Sequence, residues 1–585
     1  MVSQDDGHDA WNPGLESTIP ARLVSAATLY RPENSHTSPT EAREAGEFCG
    51  CPAAEMVDFT FDRLVIHEVL IRATADLHVP DGPVYEELGV NLRRIADRIM
   101  SKQVAPNRDA MRARYEALLA DLDAEIAARL EQAFAPPPAA APAAQNGKRP
   151  GLLGRLFGAE KPASAPPPAP RPDDRSTIAQ WAREAAALPE GVARACLEAL
   201  ASVCNGILSS RGTLPADRDL IANLARVRAR NSHGSASIGE MIDPLIREAA
   251  ARGEYTLLPA QEKPVILNVK GASASGKSTL RNYQRELIER LGIDWNDFAL
   301  VSPDYWRKYL LDYDSLGPDY KYAAMLTGQE LELIDRKLDS YFARKAARGE
   351  MPHLLIDRFR FDSFSSSDGD EDAGNMLSRF GDRIFIFFMI TSPADTVERA
   401  WRRGKTTGRY KAVDDLLFHN LEAYAGMPTT FFIWFGKKGQ KVHFEFLDNG
   451  VPLGERPLTV AYGWNGRLTV LNPGMLRRIS DYRNIHVEAR NPDEVLVEGR
   501  GAQQDFLADC VAGIDEVVFA DPKSREVLGH TIRGRCVYER DGFFDRIGLS
   551  GTCGGRQAVG STGDEPPQID SAADQRYLVG AWPED

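Results

Sequence analysis

At about 150 residues per domain, a chain of 585 residues has room for three or four domains. Its 43% hydrophobic and 26% charged residues are those of an ordinary folded protein, which excludes a wholly disordered, collagenous or coiled-coil chain. Lys and Arg number 70 and Asp and Glu 84, so the net charge of −14 argues against a dedicated nucleic-acid binder. The longest apolar runs, IFIFFMI at 384–390 and FFIWF at 431–435, fall far short of the roughly 20 residues a membrane-spanning helix needs. The first residues lack the positive start and apolar stretch of a secretory signal. The 7 cysteines are sparse and odd in number, which speaks against a disulfide framework and for a cytoplasmic protein. Cys49 and Cys51 form a C-x-C with no further ligands nearby, so a structural role is expected.

In chain order, residues 1–55 are expected to be disordered and 56–135 to form an α-helical module. That module contains helical spacing over 61–79 and 85–99 and a long amphipathic helix over 108–134. A Pro/Ala-rich linker follows over 136–175. It holds 11 of the 37 prolines and cannot form a helix or an inner strand. Its apolar island at 151–158 (GLLGRLFG) reads either as a sticky spot or as a short docking peptide. Helical patterns over 178–187, 192–208, 216–228 and 238–251 predict a bundle at 176–258. From 259 to 490, short apolar runs alternate with helices, the pattern of a parallel sheet. Residues 491–550 predict a small α+β part, with a helix at 503–511 and β-like runs at 516–519 and 535–538. The Gly- and Ser-rich end, 551–585, reads as a disordered tail.

The strongest signal follows the buried-strand pattern at 264–269. Gly271-Ala272-Ser273-Ala274-Ser275-Gly276-Lys277-Ser278-Thr279 opens a helix and fits G-x-x-x-x-G-K-[ST] in its strand–loop–helix context. Glycines let backbone N–H groups wrap phosphate oxygens, and the helix start adds positive potential. Lys277 would reach the β- and γ-phosphates of ATP, and Ser278 would place its hydroxyl on Mg²⁺. No N-K-x-D guanine motif is present. The apolar run 354–356 ends in Asp357-Arg358 rather than Asp-Glu, which leaves small kinases as the natural class. The expected architecture is therefore an α/β P-loop kinase domain, a parallel sheet flanked by helices, with N-terminal α-helical modules and a small α+β C-terminal part.

Asp304 stands 27 residues after Lys277, one βαβ crossover along the chain, and could take the proton of an attacking hydroxyl or cap a helix. Asp357 ends a strand and would complete the Mg²⁺ shell, or serve as a turn residue. Between 397 and 409, five positions are Arg or Lys, which reads as a basic lid over the transferring phosphoryl group or as an exposed charged helix end.

The order GASASGKS, then Asp304-Tyr305-Trp306-Arg307, then the Arg-rich stretch with Gly408-Arg409 leading into Val413-Asp414-Asp415, resembles the zeta toxin kinases over 264–426. The resemblance implies ATP- and Mg²⁺-dependent phosphorylation of a hydroxyl on a nucleotide sugar, UDP-N-acetylglucosamine. It also implies Asp304 as base, Arg307 as a substrate or structural contact, and Arg403 and Arg409 as the phosphate-stabilising lid. Trp306 stands where Phe is more usual. Asp357-Arg358-Phe359-Arg360 replaces the Glu and Thr expected to bind substrate. Arg358 and Arg360 would suit an acidic or phosphorylated acceptor, or be salt-bridged surface residues. The Ser/Asp-rich stretch 363–372 is expected to be a loop at the same end. By analogy with separate helical antitoxins, the helices before 264 would mask the kinase in cis. A polynucleotide kinase and an ATP-binding scaffold without phosphotransfer are the other readings.

Overall fold

The computed structural model describes residues 7–82, 86–134, 173–215, 217–358, 377–497, 505–549, 569 and 571–582. The linker core at 136–172, its island, Arg360 and the 363–372 stretch lie outside them. The centre of the fold is a ten-stranded sheet in the order β10-β9-β8-β7-β6-β5-β4-β1-β3-β2. Its strands are β1 (Val265–Lys270), β2 (Phe298–Val301), β3 (His353–Ile356), β4 (Arg383–Ile390), β5 (Lys441–Asp448), β6 (Leu458–Trp464), β7 (Arg467–Val470), β8 (Glu516–Ala520), β9 (Val527–Ile532) and β10 (Arg535–Glu539). The five strands β2-β3-β1-β4-β5 are parallel, as the alternation of apolar runs and helices predicts. Beyond β5 the sheet is mixed: β6 and β7 are antiparallel additions, β8 pairs parallel to β7, and β9 and β10 close the edge antiparallel. The 491–550 region, expected as a small α+β part, continues the same sheet through β8 to β10.

The run at 384–390 shows why β4 lies at the centre. Ile384, Ile386, Phe388 and Ile390 face one apolar core, while Phe385, Phe387 and Met389 face another. A strand covered on both faces has no polar alternation, which is what a central parallel strand requires. Full burial of each such side chain contributes about 1.5–3 kcal/mol. The other apolar run, FFIWF, is the end of the helix Val413–Phe435, whose Phe431 and Trp434 fill the first of these cores.

The helices divide between two compact units in a way that does not follow chain order. One unit comprises Met1–Arg31, Val65–Asn107 and Gly239–Asp585; the other comprises Pro32–Leu64 and Arg108–Ile238. In the second, the helices Arg108–Phe134, Asp174–Ala187, Val192–Arg211 and Arg218–Ala229 share an apolar core. Among the described residues, Val192–Arg211 is the one helix long and apolar enough to cross a membrane, and its apolar side belongs to that core. Cys49 is buried there, and no described group of three or more His, Cys, Asp or Glu could hold a metal ion.

Three expectations about the chain's ends and helices are corrected. Residues 7–55 are not disordered where described: the helix Pro39–Cys49 starts in a reciprocal capping box between Ser38 and Glu41. In the tail, Leu578, Val579 and Trp582 are buried, and Ala581 bridges Leu458 of β6. The bundle expected over 176–258 is divided: Asp174–Ala187, Val192–Arg211 and Arg218–Ala229 share one core, while the chain from Gly239 on belongs to the unit that holds the sheet. The helix Phe61–Ala75 carries His67, 2.7 Å from Glu330 with both fully buried, and Lys337 lies 3.1 Å from the other ring nitrogen. Its Arg72 pairs with Glu68 and with Asp243 at 2.8 Å and lies 4.3 Å over the Tyr341 ring. Breaking one such buried pair leaves an uncompensated charge, at a cost of about 3–5 kcal/mol.

Glu445 on β5 fastens the docked tail. It accepts from Thr459 Oγ1 at 2.7 Å and from the amides of Val579 and Gly580 at 2.9 Å. Burial pushes its pKa from 4.5 up to about 7, against these donors. The folded state therefore binds the proton more tightly than the unfolded chain. This stability is fully present below pH 4.5 and lost as pH rises through 7, an effect on the order of 3 kcal/mol. Denaturant unfolding of Glu445→Gln should be less stable overall, and the wild-type-minus-variant difference should shrink by that amount between pH 4.5 and 7.

Candidate functional site

The loop after β1 turns twice through left-handed backbone, at Ala274 (φ 63°) and Gly276 (φ 96°). Both glycines are needed for space. A Cβ on Gly271 would lie 2.8 Å from Met389 Cβ, and one on Gly276 would lie 2.1 Å from Asn449 Nδ2. The loop is propped from below at one atom, the Ser275 carbonyl, which accepts from Asn449 Nδ2 at 2.7 Å and Thr391 Oγ1 at 3.1 Å. Thr391 is held in turn by the Tyr424 hydroxyl, which accepts from its amide at 2.9 Å and donates to its carbonyl. Lys277 folds back over the loop and donates to the Gly271 and Ala272 carbonyls at 3.1 and 2.9 Å. Ser278 and Thr279 lie in the first helical turn, Lys277–Leu280. Ser273 and Ala274 form the half-buried crest.

Asp304 follows β2 in the turn Pro303–Trp306. It does not serve as the cap: each carboxylate oxygen accepts from a guanidinium, Oδ1 from Arg307 Nε at 2.9 Å and Oδ2 from Arg409 Nη2. Arg307 is itself anchored to Thr327 Oγ1 at 2.9 Å and to the Ala324 carbonyl. Burial raises the Asp304 pKa, but Arg409, Arg307 and Arg403 outweigh it and hold the carboxyl well below the usual range. Burial pushes the Lys277 amine down, while the charges of Asp357 and Asp304 oppose it. Lys277, Asp304, Asp357, Arg403 and Arg409 therefore share one electrostatic site beyond the carboxyl ends of the parallel strands, where open α/β sheets bind their ligands.

The basic stretch is the helix Pro393–Thr407, closed by Gly408 in left-handed conformation (φ 75°). That glycine turns the chain so that Arg409 reaches Asp304. Asp357 ends β3, its amide donating to the Val301 carbonyl at 3.0 Å. Arg358 is not brought to the site. It is 3% exposed and spends its guanidinium on Asp335 at 2.8 Å and Asp339 at 2.6 Å, so it cannot meet an acceptor.

Four residues of the site have no counterpart in the sequence reading. Asn449 and Thr391 lie just past β5 and β4 and look like turn residues. Tyr313 stands 3.9 Å from the Cβ position of Gly408 and faces the Asp304–arginine cluster. Lys411 continues the basic run two residues past Arg409, and that spacing alone could have found it. Burial pushes its amine down to about 8, with Asp415 opposing at 3.4 Å.

Over 165 residues the chain is 26% identical to thymidylate kinases of Leptospira interrogans serogroup Icterohaemorrhagiae, from serovars copenhageni and Lai. It is 25% identical to that of Leptospira borgpetersenii serovar Hardjo-bovis. The alignment covers 26% of this chain and 77–78% of theirs. No family model matches the chain, and no solved structure matches it.

Replacing Asn449 by Ala removes one of the two donors to the buried Ser275 carbonyl. Thr391 still serves that carbonyl, so denaturant unfolding should show a loss of about 0.5–1.5 kcal/mol with an unchanged m-value.

Proposed function

We propose that the protein is an ATP-dependent kinase that phosphorylates a hydroxyl of a nucleotide-like small molecule, a nucleotide sugar being the acceptor class closest to the zeta toxin resemblance. The observation that carries this reading is the convergence of Lys277, Asp304, Asp357, Arg403 and Arg409 beside the glycine-rich loop. The donor set fits MgATP. The loop leaves no room for a Cβ at Gly271 or Gly276, and the buried Ser275 hydroxyl has no hydrogen-bond partner among the described residues. Ser278 and Asp357 offer one hydroxyl and one carboxylate, which suits an ion that keeps phosphate oxygens and waters in its shell.

Bound MgATP would supply the γ-phosphoryl group. Lys277 would exchange its loop carbonyls for phosphate oxygens. Arg403 and Arg409 would stabilise charge on the transferring group. Asp304 would orient the acceptor hydroxyl and receive its proton. With two guanidiniums on it, Asp304 is too acidic to be an efficient base. Turning Arg409 from Asp304 to the phosphoryl group would raise its basicity at the moment of transfer. Arg307 would hold the carboxylate in place, while Arg358 has no part in acceptor binding.

A second reading is phosphorylation of a nucleoside monophosphate, favoured by the likeness to thymidylate kinases. A phosphate acceptor needs no base, so the two readings differ at Asp304. ATP consumption with a panel of nucleotide sugars and nucleoside monophosphates should be abolished in Lys277→Ala. It should fall about 10²–10⁴-fold in Asp304→Asn if the acceptor is a hydroxyl. Mass spectrometry of the product, with ³¹P NMR to separate ester from anhydride, identifies the acceptor. Nucleotide binding without any phosphorylated product would instead make the protein an ATP-binding scaffold.

A further inference from the structure

Two elements reach Asp304 through arginines. The basic helix Pro393–Thr407 reaches it through Arg409, and the turn at 323–327 reaches it through Arg307 and its anchors on Ala324 and Thr327. Residues 7–31, expected to be disordered, join these same two elements a second time. At one end Trp11 Nε1 donates to Glu398 on the basic helix at 3.2 Å. Ala10 and Trp11 pack there with Val397, Ala400, Trp401 and Leu416. Ser17 donates to Asp414, just past the lid. At the other end Leu23 and Ala27 are buried with Leu311, Ala323 and Leu326, and Thr28 Oγ1 donates to the Leu326 carbonyl at 3.3 Å. Between the ends, the Pro13 carbonyl accepts from Lys321 at 2.8 Å, and Arg22 forks onto Asp319 at 2.5 and 2.6 Å.

We infer that residues 7–31 are a strap that positions the arginine lid by tying it to the 311–327 segment, with Trp11 and Leu23 as its positioning residues. The apolar ends carry the tie. Arg22 is 62% exposed on its side chain, and an exposed ion pair of that kind adds little. For the lid to swing away from Asp304, one buried end of the strap has to be released. The strap therefore sets how readily the lid opens. Its effect on ligand exchange rests on the nucleotide-kinase reading above; its hold on the lid does not.

The test is hydrogen exchange on the full-length, nucleotide-free chain, comparing Trp11→Ala, Leu23→Ala and Trp11→Phe with the wild type. Amides of 393–412 should exchange about tenfold faster in the two alanine variants, with those of β1 and β4 unchanged. Trp11→Phe keeps the ring contact and should fall between. Release of a fluorescent ATP analogue should quicken by a similar factor. Faster lid exchange in a protein whose wild type binds no such analogue would keep the strap and remove the nucleotide reading. Lid exchange unchanged in both alanine variants, or quickened equally in β1 and β4, would overturn the strap.

Discussion

The carboxylate of Asp304 receives one guanidinium from its own turn and one from beyond the basic helix, in a place where burial by itself raises its pKa. Much of the site's geometry follows from that arrangement. Arg307 ties the carboxylate to the 323–327 turn, and Arg409 ties it to the end of the basic helix, so the two elements meet at one side chain. Charge-assisted hydrogen bonds of this kind are short and directional. They fix an acid at the sheet's carboxyl edge, and they let a charge that moves elsewhere change the acid's basicity.

The glycine-rich loop depends on the sheet in a different way. Its Ser275 carbonyl rests on Thr391 and Asn449, residues that follow β4 and β5, so the loop's shape is set by two strands on one side of β1. Asp304 and Asp357 come from β2 and β3 on the other side. Strand order places the glycine-rich loop and the acids at the same edge of the sheet, as expected where crossovers diverge on either side of a parallel strand. The packing that holds β4 in the middle, with apolar side chains on both faces, is thus what keeps the site assembled.

Legibility in the sequence followed locality. The loop from Gly271 to Ser278, the strand before it and the helix Arg108–Phe134 were all readable, because each is decided within a few neighbouring residues. For Arg358 the sequence left an acceptor contact and a salt bridge both open, because nothing local reveals that Asp335 and Asp339, one turn apart on a helix, lie opposite it. The N-terminal strap was misread because its Trp, Pro and Gly residues carry no helical or strand period; its order comes from apolar surface on distant elements. The capping box Ser38–Glu41 was a local signal and could have revealed the first helix.

By itself the sequence determined that β1 would be buried, that a glycine-rich turn would link it to a helix, and that the stretch over 397–409 would be basic. Spacing and side-chain type are sufficient for such features, because short-range sterics and hydrogen bonding dictate them. Only the tertiary structure decided that the C-terminal strands extend the same sheet, that His67 in the helix at 61–75 meets Glu330, and which arginines meet Asp304. Those outcomes depend on which apolar and charged surfaces find each other across hundreds of residues, and long-range complementarity of that kind leaves no periodic trace in the chain.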